Sequence, residues 1–241
     1  MQAFGGTLVP LLAALGSGAL YCASFPGVGA WPLAFVALVP LLFALDGQSP
    51  FRAALLGWGS GTVAAALGLA WLSPALRAHG GLGTTASALC VVLVALHQAG
   101  SFAISAWLAV RAQHRGWPLG PTFALALAAG EVLYPVLFPW AFAASVHELP
   151  ALLQLAELGG ASLVTLLLFA VNTGCFELAV CLRRRERPRP RSLFLLSTLP
   201  LAWAFGQMRL GSVDRAVAAA PKAEIQLLQA NSPPERALTA D

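Results

Sequence analysis

Seven stretches of this chain are apolar and almost free of charge, and that pattern leaves few ways to fold it. They cover residues 7–23, 28–45, 53–72, 82–110, 119–137, 160–182 and 192–206. Of 14 Lys and Arg and 10 Asp and Glu in the chain, only Glu131 and Glu177 fall inside them. A helix of about 20 predominantly apolar residues spans the hydrocarbon of a bilayer. The runs are continuous rather than alternating with period two, so helices are expected and a transmembrane barrel is not. The predicted fold class is an all-α polytopic membrane protein, a bundle of about seven transmembrane helices over residues 1–206. Charged residues make up 10% of the chain and hydrophobic residues 58%, against roughly 25% charged in soluble domains. That balance excludes a soluble globule, and it excludes disorder, which needs the reverse.

Several features mark the ends of the runs. Trp31, Trp71, Trp107, Trp117 and Trp140 lie near proposed boundaries, where an amphipathic ring suits the interface. Gly57, Gly61 and Ala65 recur every four residues in the third run, a stripe that lets helices pack closely. Residues 1–6 carry no Lys or Arg, so the basic region of a signal peptide is missing and the first run is expected to span. With the N-terminus cytoplasmic, Arg52, Arg111, Arg115 and the six arginines of 183–191 all fall in cytoplasmic loops, against Arg77 alone in the outer loops. The positive-inside bias therefore sets the topology and leaves the tail after Gly206 outside, in the periplasm of a Gram-negative cell. The arginine run reads as an anchor to anionic headgroups rather than as a nucleic-acid patch, so no nucleic-acid partner is expected.

The residues that could carry chemistry are few. Cys22, Cys90, Cys175 and Cys181 lie within apolar runs and form no C-x-x-C pair; no disulfide framework, metal site or cofactor site is predicted. His97, beside Gln98, is expected to make an interhelical hydrogen bond. Glu131 sits inside the fifth run, where a carboxylate must face a partner or a wet cavity. Both readings stay open for it. Glu177 is expected to reach towards Arg183. Between the fifth and sixth runs, residues 138–159 hold no Lys or Arg. There Leu152, Leu153, Leu155, Ala156 and Leu158 can form one face of a short helix, with Gln154 and Glu157 opposite. Pro150 suits its start and Gly159-Gly160 its stop.

This loop carries a resemblance. Glu131 followed by Phe138-Pro139-Trp140, then Pro150 through Gln154 to Gly160, then a run ending Val171-Asn172, resembles the membrane part of the apolipoprotein N-acyltransferase family. Phe25-Pro26 with the run from Trp31 to Leu42 resembles the family's opening, and Ala223 through Asn231-Ser232-Pro233 resembles the first strand of its nitrilase-like domain. Tyr134, Leu137, Ser232 and Leu238 depart from the usual pattern and mark a divergent member.

The resemblance implies a phospholipid acyl donor and a lipoprotein acceptor. A Cys of the nitrilase-like domain takes the acyl chain as a thioester and passes it to the α-amino group of a diacylglyceryl-cysteine. It implies Glu131, Phe138, Pro139, Trp140 and Gln154 as substrate-cavity candidates. An intramembrane carboxylate next to an outer apolar loop further suggests that Glu131 and the loop 138–160 border a lateral opening through which lipid reaches the outer domain. Residues 207–241 are expected to be a periplasmic linker and that first strand. The family's catalytic Glu, Lys and Cys are not among residues 1–241, so this chain alone is expected to be inactive. The competing reading is a stand-alone lipid-binding membrane protein or a transporter on the same scaffold. The string Leu-Val-Pro-Leu-Leu at 8–12 and 38–42 is the one internal echo in its favour.

Overall fold

The computed structural model describes residues 2–222 together with 226, 227 and 229. Among these residues the structure is all-helical and has no strand. Ten α-helices follow one another: α1 (Gln2–Ala23), α2 (Val39–Leu45), α3 (Pro50–Gly68), α4 (Leu72–Gly80), α5 (Thr84–Gln98), α6 (Gly100–Gln113), α7 (Leu119–Leu133), α8 (Pro150–Leu153), α9 (Ala156–Arg184) and α10 (Pro190–Ala219). Short 3-10 helices at Trp31–Phe35 and Phe142–Val146 interrupt the series. The expected nitrilase-like strand, around residues 223–233, falls largely outside the described residues.

By length and apolar composition, α5 with α6 (Thr84–Gln113) and α9 (Ala156–Arg184) can each cross a membrane. The pair α3 and α4, bent by 52°, adds a third crossing if it is one broken span. The apolar helices Leu8–Ala23, Trp31–Leu45 and Leu119–Leu133 are shorter.

Four of the expected runs differ from the helices observed. The run 28–45 is not one helix but a 3-10 turn and α2. Pro40 has no N–H for the Val36 carbonyl and its ring crowds that group, so the chain breaks over residues 36–38. The run 119–137 is helical only to Leu133, because Tyr134 precedes Pro135 and turns to extended backbone (φ −76°, ψ 131°). Glu131 therefore lies in the last turn of α7, not in mid-helix. The third run bends after Gly68 and resumes as α4. The seventh does not stop at Gly206 but continues as α10 to Ala219.

Packing places the core between α1, α3, α6, α7 and α9, with α10 against α8 and α9. The stripe on α3 does what its spacing suggests. A Cβ on Gly57 would come within 2.6 Å of the Phe102 carbonyl oxygen on α6, and one on Gly61 within 2.9 Å of the Ala99 Cα. At the centre Tyr21 stacks on Phe142 at 4.2 Å and meets Phe102 edge-on at 5.3 Å, and Phe142 packs on Phe169 at 5.4 Å.

The loops expected on one side of the membrane gather at one end. Gln113 Nε2 donates to Asp46 Oδ1 at 2.7 Å, and a ring nitrogen of His114 bonds the Gln48 carbonyl at 3.1 Å. Arg184, Arg189 and Arg191 line the same cleft as Asp46 and Gln113. Glu177 is structural, as expected, but its partner is Arg191 on α10, through Nε–Oε2 at 3.1 Å and a second bond to Oε1 at 2.7 Å. Arg183 lies over the Phe43 ring at 4.1 Å instead.

Candidate functional site

At the opposite end of the bundle, residues 134–141 leave helical geometry and lie against the middle of the α5–α6 helix. Backbone groups that leave a helix and pack against protein need partners there. Gln98 supplies two: its Nε2 donates to the Phe138 carbonyl at 2.9 Å, and its Oε1 accepts the Leu137 N–H at 2.9 Å. A ring nitrogen of His97 bonds the Pro135 carbonyl at 2.8 Å, and the Tyr134 hydroxyl donates to the His97 carbonyl at 2.7 Å. His97 thus makes a hydrogen bond across elements, as expected, though to irregular backbone rather than to a second helix. Gly100 lies directly beneath the Tyr134 hydroxyl, where a side chain would collide.

Glu131 fixes the other end of the same segment. Its Oε1 accepts the Phe142 N–H at 3.0 Å. Thr165 Oγ1 accepts the Ala143 N–H at 3.1 Å. Together these side chains satisfy the free N–H groups that open the 3-10 helix Phe142–Val146. The cavity beside Glu131 is about 20 Å3, room for about one water. Glu131 both bonds the loop backbone and lines this small cavity. Glu131 holds the loop and does not project into a large chamber.

A larger space lies next to it, on the other side of Trp140. An open cleft of about 320 Å3 is walled by Phe25, Val28, Leu67, Trp71 and Trp140, with Tyr21 and Cys22 at its inner edge. Trp140 borders both this cleft and the small Glu131 cavity. Its ring lies 5.8 Å from that of Phe25 and rests on Gly68, where an added Cβ would come within 2.8 Å of the indole. Trp71 meets Phe138 edge-on at 5.9 Å. The cleft is within the size range of a ligand site and its walls are apolar. Cys22 has no His, Lys or carboxylate beside it among the lining residues, so its thiol packs as a small apolar group. No group of three or more metal-ligating side chains occurs among the described residues.

The predicted residues divide. Glu131, Phe138 and Trp140 come together around the segment and its cavities; Pro139 is exposed between them. Gln154 stands apart, with its Nε2 donating to the Pro150 carbonyl at 3.1 Å. The helix expected around it is split into α8 and the start of α9. Of the predicted apolar face, Leu152 is buried, Leu153 and Leu155 are half-buried, and Ala156 and Leu158 are exposed, so the face is not continuous. The stop at Gly159-Gly160 is present, with Gly160 at φ 64°. Sequence reasoning missed Phe25 and Trp71 as walls of the cleft, and Tyr134 and Gln98 as its supports. Their signal was an amide and a His side by side in an apolar run, opposite a Pro-containing exit from a helix.

Residues 17–174, which include every element of this site, match the family profile described as apolipoprotein N-acyltransferase N-terminal domain. The chain belongs to the apolipoprotein N-acyltransferase family. It is 32% identical over 206 residues to the apolipoprotein N-acyltransferase of Geobacter metallireducens, covering 83% of this chain and 40% of that protein. It is 34% identical over 217 residues to that of Azotobacter vinelandii, covering 87% of this chain and 41% of that protein. The chain thus spans about 40% of the length of these acyltransferase relatives. The family match begins at Ser17 and ends at Gly174, so it takes in the end of α1, the broken second run, the pinned segment and most of α9.

Proposed function

We propose that residues 1–206 are the seven-span membrane domain of an apolipoprotein N-acyltransferase. The N-terminus is cytoplasmic in the bacterial inner membrane, and residues 207–241 lead to a periplasmic nitrilase-like domain. In this reading the aromatic cleft bounded by Phe25, Trp71 and Trp140 receives an acyl chain of the phospholipid donor. The pinned segment 134–141 separates it from the bundle core. The transfer itself belongs to a Cys of the nitrilase-like domain. Its sulfur takes the acyl group as a thioester with release of the lysophospholipid. The lipoprotein's α-amino group then displaces the thiol to form an amide. Residues 1–241 hold no such activated Cys, so the chain alone binds donor lipid without turnover. No cofactor enters this chemistry.

The observation that carries the reading is the open, apolar, aromatic-walled cleft beside a segment fixed by Glu131 and Gln98, within the region that matches the family. A phospholipid with a photoactivatable acyl chain, crosslinked to the protein in bilayers, tests it. Label is expected on residues 21–28, 64–71 and 138–140, and Trp140→Ala with Phe25→Ala should lower it several-fold. Labelling that leaves all three segments untouched would sink the proposal.

A further inference from the structure

The end of the bundle away from the aromatic cleft holds a second space that the acyl-donor reading does not use. Between the start of α7, the end of α9 and the start of α10 is a polar cleft of about 260 Å3, with Arg184, Arg189 and Arg191 in its walls beside the carboxylates of Asp46, which accepts from Gln113, and Glu177. Arg191 is committed to Glu177 by two bonds. Arg189 meets Glu186 only at 3.6 Å on an exposed surface, a pairing worth little in water. Arg184 is exposed and has no partner among the described residues.

Directly further along the same three helices runs an apolar groove of about 550 Å3, walled by Pro121 and Leu125 of α7, Leu166 and Ala170 of α9, and Phe194 to Phe205 of α10. From Phe194 to Phe205 the helix rises about 16 Å. Half of a bilayer's hydrocarbon is about 15 Å deep.

We propose that cleft and groove form a single site for a glycerophospholipid, its phosphate held by Arg184 and Arg189 and one acyl chain laid between α7, α9 and α10. Charge complementarity selects the occupant. Two guanidinium groups without strong partners suit a phosphodiester, and the adjoining walls suit hydrocarbon over the depth of one leaflet. Free phosphate could use only the cleft, and a diacylglycerol only the groove. A phospholipid uses both. None of these residues borders the aromatic cleft, so this site and the acyl-donor reading can fail separately.

The test is native mass spectrometry on the full chain, delipidated in detergent and titrated with dioleoyl phosphatidylglycerol, dioleoylglycerol or inorganic phosphate. Phosphatidylglycerol is expected to bind at one molecule per chain to this site. Arg184→Gln with Arg189→Gln should weaken it about tenfold, the scale of charge-assisted hydrogen bonds. Ala170→Phe, which fills the groove, should do the same while the thermal midpoint stays unchanged. If Ala170→Phe does not fold, the arginine pair and the diacylglycerol arm decide alone. Diacylglycerol bound as tightly as phosphatidylglycerol, or inorganic phosphate bound equally well, overturns the proposal. So does retention that survives the arginine changes but is lost in Trp140→Ala, which would assign the lipid to the aromatic cleft.

Discussion

Asn172 accepts the Leu38 N–H on Oδ1 at 2.8 Å and donates from Nδ2 to the carbonyls of Ala34 and Leu168, at 2.7 and 2.8 Å. Ser17 Oγ donates to the Ala37 carbonyl at 2.6 Å beside it. Both side chains are buried, and together they satisfy the backbone where the second run breaks. Polar side-chain bonds between membrane helices often contribute only about 0.6 kcal/mol, because the partners find others when separated. Asn172 differs in that it serves backbone groups that lack helical partners. Asn172→Leu keeps the volume and orphans a carbonyl and an N–H, at roughly 1–3 kcal/mol each. A loss of about 3 kcal/mol is expected in detergent unfolding followed by circular dichroism. A change below about 1 kcal/mol would show that the break closes without the amide. The sequence offered Asn172 only as the end of a motif. Nothing in its spacing points to Ala34 and Leu38, more than 130 residues away, since a bond that reaches so far is set by packing alone.

Helix α3 shows which element-scale features are legible. Its glycines at 57 and 61 repeat at the spacing of one helix face, and that face meets α6 at backbone distance. Gly59 lies on another face and has only an ordinary contact, 3.5 Å from its added Cβ to Leu15. Gly57→Leu is therefore expected to destabilise by about 1–3 kcal/mol through overpacking. Gly59→Ala should be neutral or gain up to about 1 kcal/mol of helix propensity. Equal effects of the two in the same unfolding assay would remove α3–α6 contact as the reason for the stripe. Where the prediction failed, hydropathy was blind for a physical reason. A run stays apolar whether it is one helix, as in α9 after its kink at Gly159-Gly160, or a 3-10 turn and a helix, as in 28–45. Proline was the available signal, yet Pro10 and Pro200 sit inside intact helices while Pro40 and Pro135 mark breaks. Proline in the sequence flags a candidate break, and the partners waiting at that position decide it. For the candidate site the same limit applied. Glu131, Phe138 and Trp140 were legible as motif residues, whereas Trp71 joined them through the bend after Gly68 and Phe25 through the turn that follows α1.

At the scale of the whole molecule, the two ends have different chemistry. One end gathers Asp46, Gln113 and the arginines Arg184, Arg189 and Arg191. The other carries the pinned segment, α8 and the part of α10 beyond Gly206 that was expected to be a linker. That extension is tied down: Gly206 packs directly on the Ala151 carbonyl, and Arg209 forms a two-bond ion pair with Glu157 at the start of α9. The hydrogen bond from Arg209 holds the Glu157 carboxyl below its usual range, and the charge of Arg209 adds to this. For a carboxyl with a lowered folded-state pKa, the pair's contribution is complete above the ordinary Glu value of about 4.3 and is lost as pH falls through the lower folded value. Both groups are exposed, so the effect is local rather than global. Amide hydrogen exchange in residues 206–219, corrected for the intrinsic pH dependence, should therefore be constant from neutral pH to about 5 and accelerate below about 4. Glu157→Gln should exchange at the faster rate throughout and lose the pH step. A step that persists in Glu157→Gln would assign it to another group, and α10 would then be held by the contact at Gly206 alone.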